Sequence, residues 1–277
     1  MFSLRGHRVH RRAVCLAAAY ALLVSATSAC ADNDGDSRDG PVGVALIIKT
    51  ETNPFFVAIQ RGAQERATDL GFDLTVAAGR EDASVERGDK AILITPSGRG
   101  VDGALQRARD AGVFVVALDT KPVDPDAADI TFATDNFEAG RLIGAWAAAK
   151  MAGRPAGNPD INLVYTINEP AASGAIEVLQ RAGNSATVVS VDGGCDPGMS
   201  LVAAGAIGAT AQHYPLEMAI EGVDAIAAYL DDGTRPLPNH GIDMVATGVA
   251  LVTDDPQPRV PSIDVTAGLE RCWGAPA

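Results

Sequence analysis

Apolar residues fall along this chain in short unbroken runs, each followed by a stretch with helical spacing. Val42 to Ile48 is the first run, β-branched and too short to cross a membrane, as expected of a strand buried on both faces of a parallel sheet. Phe55 to Leu70 then repeats apolar positions at helical intervals, and Gly71 closes the helix. The pattern predicts further strands at Phe72 to Ala77, Ala91 to Thr95, Val113 to Leu118 and Ile130 to Ala133. Between them stand a short charged crossover from Gly79 to Lys90 and a helix from Val101 to Ala111, stopped by Gly112. A long Ala-rich helix runs from Phe137 to Met151, followed by a Gly/Pro loop from Gly153 to Pro159. Strands at Ile161 to Ile167, Thr187 to Val191 and Ala206 to Ala211 alternate with helices at Ala171 to Ala182 and Pro215 to Leu230, and Met244 to Thr253 reads as one more strand. Such alternation indicates an α/β fold with doubly wound parallel sheets.

In open α/β sheets ligands bind beyond the carboxyl ends of the strands. There this chain repeatedly places short polar groups: Asn53, Asp119, Asp135, Asn136, Asn168, Asp192 and Gln212. Taken singly, each is a turn residue or helix N-cap. Taken together they are planar donors and acceptors of the kind that vicinal hydroxyls require, since a hydroxyl both gives and takes a hydrogen bond. Phe55 and Phe56 follow Asn53 and have two readings, as the first core residues of a helix or as rings against the C–H face of a sugar.

Charge and processing signals narrow the compartment. Arg5, Arg8, Arg11 and Arg12 precede an apolar stretch, Ala13 to Val24, and a small-residue region ending on Cys30, so residues 1–29 read as a secretory signal. The small residue before Cys30 resembles a lipoprotein cleavage site, although Thr27 stands where leucine is usual; lipidation of Cys30 and plain secretion are the two readings. Residues 30–40 then form an acidic, flexible tether. Removing the four arginines takes the net charge from −13 to −17, which argues against nucleic acid and against anionic membrane surfaces. Beyond Cys30 only Cys195 and Cys272 remain, either a disulfide in an oxidising compartment or two buried thiols.

Enzymatic chemistry lacks its usual signatures. His213 and His240 read as ordinary surface or helix-start histidines, no phosphate-binding glycine loop occurs, and no Cys/His spacing suits zinc, so neither a metal nor a cofactor is expected.

Several short motifs, in order, carry a resemblance: N-P-F-F at 53–56, A-L-D-T at 117–120, T-D-N at 134–136, Y-T-I-N-E-P-A-A at 165–172, S-V-D-G-G-C at 190–195, A-T-A-Q-H-Y-P at 209–215, T-G-V-A-L-V-T-D at 247–254 and C-W-G at 272–274. The chain resembles the sugar-binding proteins of bacterial ABC importers in the ribose-binding-like, type I periplasmic binding protein family, and looks most like its fructose-type branch. The resemblance implies two α/β lobes joined by three hinge crossings near 134–135, 212–213 and 246–248. The N-terminal lobe would take 41–134 and 213–246, the C-terminal lobe 135–212 and 247–277. It further implies that Asn53, Phe55, Phe56 and Asp119 hold a monosaccharide from the first lobe, and Asn136, Asn168, Asp192 and Gln212 from the second lobe or the hinge. The partners implied are that monosaccharide and ABC permease subunits, with a monomer touching the outer face of the membrane only through its lipid anchor. A sensory module docking on a receptor and an exported remnant that binds nothing are the competing readings. The family's segment after the first helix of the second lobe, with its sugar-contacting arginine, has no counterpart here, so the second lobe is expected to be shortened.

Overall fold

The computed structural model describes residues 40–78, 88–150 and 162–274. The proposed signal, Cys30 and its tether to residue 39, most of the crossover after Ala78, and the Gly/Pro loop after Lys150 lie outside the described residues.

Every run in the first part of the chain becomes a strand: β1 (Gly43–Ile48), β2 (Asp73–Ala78), β3 (Ala91–Ile94), β4 (Phe114–Leu118) and β5 (Ile130–Ala133). With β9 (Val245–Ala246) they form one sheet in the order β2-β1-β3-β4-β5-β9, and every pairing is parallel. β3, β4 and β5 are buried throughout, which is why they lack the alternation of a half-solvated strand. Alternate residues of β1 feed opposite faces. Val44, Leu46 and Ile48 pack under α1 (Pro54–Asp69), while Ala45 and Ile47 pack with Leu105 and Ala108 of α2 (Asp102–Asp110).

Among the described residues a second sheet has four strands in the order β10-β8-β7-β6, built from β6 (Leu163–Tyr165), β7 (Thr187–Asp192), β8 (Ala209–Gln212) and β10 (Ala250–Val252). One face is covered by α3 (Asn136–Lys150), whose Trp146 is fully buried. The other carries α4 (Glu169–Arg181), a turn at Cys195–Met199 running into α5 (Ser200–Ala203), and α7 (Val265–Leu269).

The chain passes between the sheets three times: after β5, after β8 into α6 (Pro215–Asp232), and between β9 and β10. α6 lies against α1 and the first sheet. Added Cβ atoms on Gly62 and Gly222 would come within 3.0 Å of Leu216 O and 2.8 Å of Leu93 Cδ2, so both glycines set close approaches.

The strand-like run Met244 to Thr253 divides near Gly248, at φ +92°, into β9 in the first sheet and β10 in the second. One expectation is corrected: the second sheet is not wholly parallel. β10 enters beside the carboxyl end of β8, with Ala250 opposite Gln212, and so must run antiparallel to it. The Cys195–Ala203 helical stretch, absent from the sequence reading, fills the space between β7 and α7.

Candidate functional site

The carboxyl ends of both sheets and the crossing after β8 meet around four side chains: Phe55, Asp119, Asp192 and His213. Asp119 follows β4 at φ +68° and Asp192 ends β7 at φ +100°, both in the left-handed region that non-glycine residues rarely occupy. Such backbone strain at strand ends accompanies functional sites.

On the first-sheet side, Lys49 at the end of β1 donates to Asp119 Oδ2 at 2.8 Å and to Thr120 Oγ1 at 3.0 Å. Its ammonium also lies 5.3 Å from the Phe56 ring centroid. Asn53 caps α1, its amide oxygen accepting from Phe55 N–H at 2.9 Å. The two phenylalanines differ in burial, although both pack against the core of the first sheet. Phe55 is 4% exposed and packs edge-on against Phe56 and Trp273, as a core residue; Phe56 is only half-buried. Asn136 is exposed at the start of α3 and lines, with Asp119, Thr134 and Phe137, a cavity of about 370 Å³.

On the second-sheet side, Asn168 caps α4 through Ala171 N–H at 2.9 Å. The next residue, Glu169, is 2% exposed, and its Oε1 accepts from Gly193 N–H and Thr210 Oγ1, each at 2.7 Å. Burial pushes its carboxyl up to about 7, against these stabilising hydrogen bonds. Asp192 is pushed up to about 8, chiefly by burial, then by the charges of Glu169 and of Asp119 across the crossing. Asp119 and Asp192, on different sheets, thus feel one another's charge across the crossing. Tyr165, at the end of β6, is also held up by partial burial and by Asp192.

Gln212 departs from the role the resemblance implies. It is fully buried; its amide nitrogen donates to Gly193 O at 3.2 Å and Gly268 O at 2.9 Å, and its oxygen accepts from Tyr214 at 3.5 Å. Both ends of the amide thus brace the second lobe internally, tying the tip of β7 to α7.

His213 is neither on the surface nor in a helix. It is 6% exposed, its ring 6.4 Å from that of Phe55, and its main chain is fixed at both ends. The N–H donates to Asp192 O at 2.9 Å, and the carbonyl accepts from Trp273 Nε1 at 3.0 Å. Burial lowers its basicity to about 4, against the raising influence of Asp119. With His213 neutral and Asp192 largely protonated at neutral pH, their 3.7 Å contact is not an ion pair, and it is too long for a hydrogen bond. Cys195 and Cys272 form a disulfide that seats the neighbouring Trp273 between this histidine and Phe55.

The structure therefore gathers Phe55, Asp119 and Asp192, puts Asn136 in a cavity beside Asp119, and leaves Asn53 and Asn168 as helix caps. Lys49, Glu169 and His213 are polar residues of this region that the sequence reading missed. Lys49 carried a signal, as the first charge after a strand; Glu169 and His213 carried none, because burial cannot be read from an acid before proline or a histidine after glutamine. Among the described residues no group of acids, histidines or cysteines is arranged to hold a metal ion. The arrangement suits binding through hydroxyl-directed hydrogen bonds beside an aromatic face.

Comparison with known proteins bears on the fold that carries these residues. Residues 44–158 match the model of a family described as periplasmic binding protein domain. The ribose import binding protein of Salmonella typhimurium is 26% identical over 264 residues, covering 73% of this chain and 88% of the relative. The D-apiose import binding protein of Actinobacillus succinogenes is 31% identical over 109 residues, 36% of this chain and 35% of the relative. Among solved structures, a galactofuranose binding protein superposes with a TM-score of 0.70 at 21% identity, covering 83% of this chain and 98% of that one. The Caulobacter myo-inositol binding protein, bound to myo-inositol, gives 0.67 at 17%, covering 77% and 93%. Residues 44–158 thus resemble a periplasmic binding protein domain, and the chain shares its fold with solved sugar-binding proteins.

Proposed function

We propose that the chain is the solute-binding component of an ABC importer, taking a fructose- or ribose-like monosaccharide between its lobes and delivering it to a permease. The observation that carries this reading is the gathering of Asp192 from the second-sheet side, Phe55 from the first and His213 of the β8 crossing, within electrostatic reach of Asp119. Carboxyl groups accept from or donate to hydroxyls according to protonation, and Phe56 offers a partly open ring to the sugar's C–H face. Lobe closure about the three crossings would bury the sugar and present both lobes to the permease; no bond of the ligand is made or broken. Asn53, Asn136 and Asn168 would contribute their amide NH2 groups, since the oxygens of the two caps are already engaged. Export through residues 1–29 and anchoring through a lipid on Cys30 complete the proposal, with the protein acting as a monomer. Support comes from the import binding proteins among its relatives.

Calorimetric titration of the purified chain with a panel of pentoses and hexoses tests this. Saturable heat with at least one furanose- or pyranose-forming monosaccharide is expected. Folded protein that gives no heat with any of them overturns it.

A further inference from the structure

We infer that His213 is a ligand-contacting, specificity-determining residue, whose Nε2 exchanges a hydrogen bond with one hydroxyl of the bound sugar. The inference rests on the reading of this cleft as a sugar site, but it names a residue outside the strand-tip set that the resemblance supplies. Three observations carry it.

The first is position. The imidazole lies where Asp119 of the first sheet, Asp192 of the second and the edge of Phe55 come together, on one of the crossings that would move when the lobes open. The second is an unmet hydrogen bond. Nε2 is buried and has no partner among the described residues, while Nδ1 stands 3.7 Å from Asp192 Oδ1. Native proteins rarely leave a buried polar atom in this state, and a bound hydroxyl would supply the missing partner. A leucine would fill the same volume without that cost. The other two crossings show the same feature at Thr134 Oγ1 and Thr247 Oγ1. The third is chemistry. Burial keeps the ring neutral, with one nitrogen donating and the other accepting, which matches the dual character of a hydroxyl. The main-chain bonds to Asp192 and Trp273 hold the ring at this place, so it can read one hydroxyl of a ligand seated between the lobes.

The test is a cycle between one side chain and one hydroxyl. Wild type, His213→Leu and His213→Gln are titrated calorimetrically with D-ribose, D-fructose and whichever panel sugar binds most tightly, together with the monodeoxy analogues of that sugar. His213→Leu should weaken the parent sugar about tenfold or more, and should melt at the wild-type temperature or above, having lost an unsatisfied buried nitrogen. One deoxy analogue should be weakened on wild type yet bind His213→Leu as well as the parent does, which assigns the hydroxyl. His213→Gln, which keeps a polar group at the same reach, should recover most of the affinity, and carries the same comparison if the leucine variant does not fold. Unchanged parent affinity in the variants, or equal losses across all analogues, overturns the inference while leaving the sugar-binding reading intact. Absence of wild-type binding to every sugar overturns both.

Discussion

The two sheets solve the same packing problem with different means. The first has six parallel strands, three of them buried along their whole length, under helices on both faces. The second has four, closed on one side by the antiparallel β10 and ending on the other in β6, whose residues are half-buried to exposed. Exposed Tyr165 and Ile167 mark that end. A smaller sheet buries less apolar surface, the main favourable term in folding. The second lobe adds two devices that compensate: the Cys195–Cys272 disulfide and a set of buried hydrogen bonds centred on Glu169 and Gln212. The polar groups that stiffen the shorter lobe also shape its side of the candidate site, whereas Asp119 opposite is held by a half-exposed ion pair with Lys49.

The sharpest way to break this comparison is to remove the disulfide. Its cysteines are 77 residues apart, and a closed loop of that length restricts the unfolded chain by about 4 kcal/mol. The double substitution Cys195→Ser and Cys272→Ser should lower stability by about that amount in denaturant titration. The second lobe should then unfold before the first, as two transitions rather than one. A loss below about 1 kcal/mol would show that the second sheet holds without its cross-link.

Next in size is the pH dependence. Glu169 and Asp192 have folded-state values of about 7 and about 8, well above their ordinary carboxyl range. The native state therefore keeps protons that the unfolded chain has released. Their contribution is fully present below about pH 4 and is lost as pH rises through 7 and 8, at a slope on the order of 1 kcal/mol per pH unit. His213, lowered to about 4, acts in the opposite sense between about pH 4 and 6.5, where only the unfolded chain binds its proton. Asp192→Asn should flatten the decline in melting temperature between pH 4 and 8. His213→Leu should steepen it below pH 6.5 and leave it unchanged above. A decline that survives Asp192→Asn in full would place the titrating group elsewhere.

How far the sequence could be read follows the same division. In the first lobe burial shows in the residues themselves: Ala91 to Thr95 and Val113 to Leu118 read as strands, and each holds one that is buried throughout. The second lobe is built from choices that composition hides. Gln212 reads as a ligand-facing amide because it follows a strand, but it stays in register as the last residue of β8, and its side chain is enclosed by Gly193 and α7. Glu169 is, in the sequence, only an acid before a proline, and tertiary packing turns it into a buried anchor for the β7 tip. Met244 to Thr253 has the apolar content of one strand; the break at Gly248 is set by the need to leave one sheet and enter another. Local pattern specified elements where neighbours merely add burial, and misled where a distant element decides which way a side chain faces.

The smallest effects discriminate most finely, because Asn53 and Asn168 make the same cap in the two lobes. In each the amide oxygen accepts a helix N–H at 2.9 Å, so substitution by alanine should cost about 1 kcal/mol in either place, whatever the ligand does. Aspartate separates cap from contact. It keeps the accepting oxygen and adds a charge that favours a helix N-terminus, so Asn53→Asp and Asn168→Asp should melt within a degree or two of wild type or above it. Each also lacks the amide NH2, the only part of the side chain left to donate to a sugar. A several-fold loss of affinity at unchanged stability would assign that NH2 to the ligand, lobe by lobe. If Asn53→Asp weakens the sugar and Asn168→Asp does not, the shorter lobe reads its ligand through Asp192 and the β8 crossing, and Asn168 is a cap alone. Equal losses would instead give both lobes matching amide contacts, and the asymmetry of the sheets would then stop short of the site.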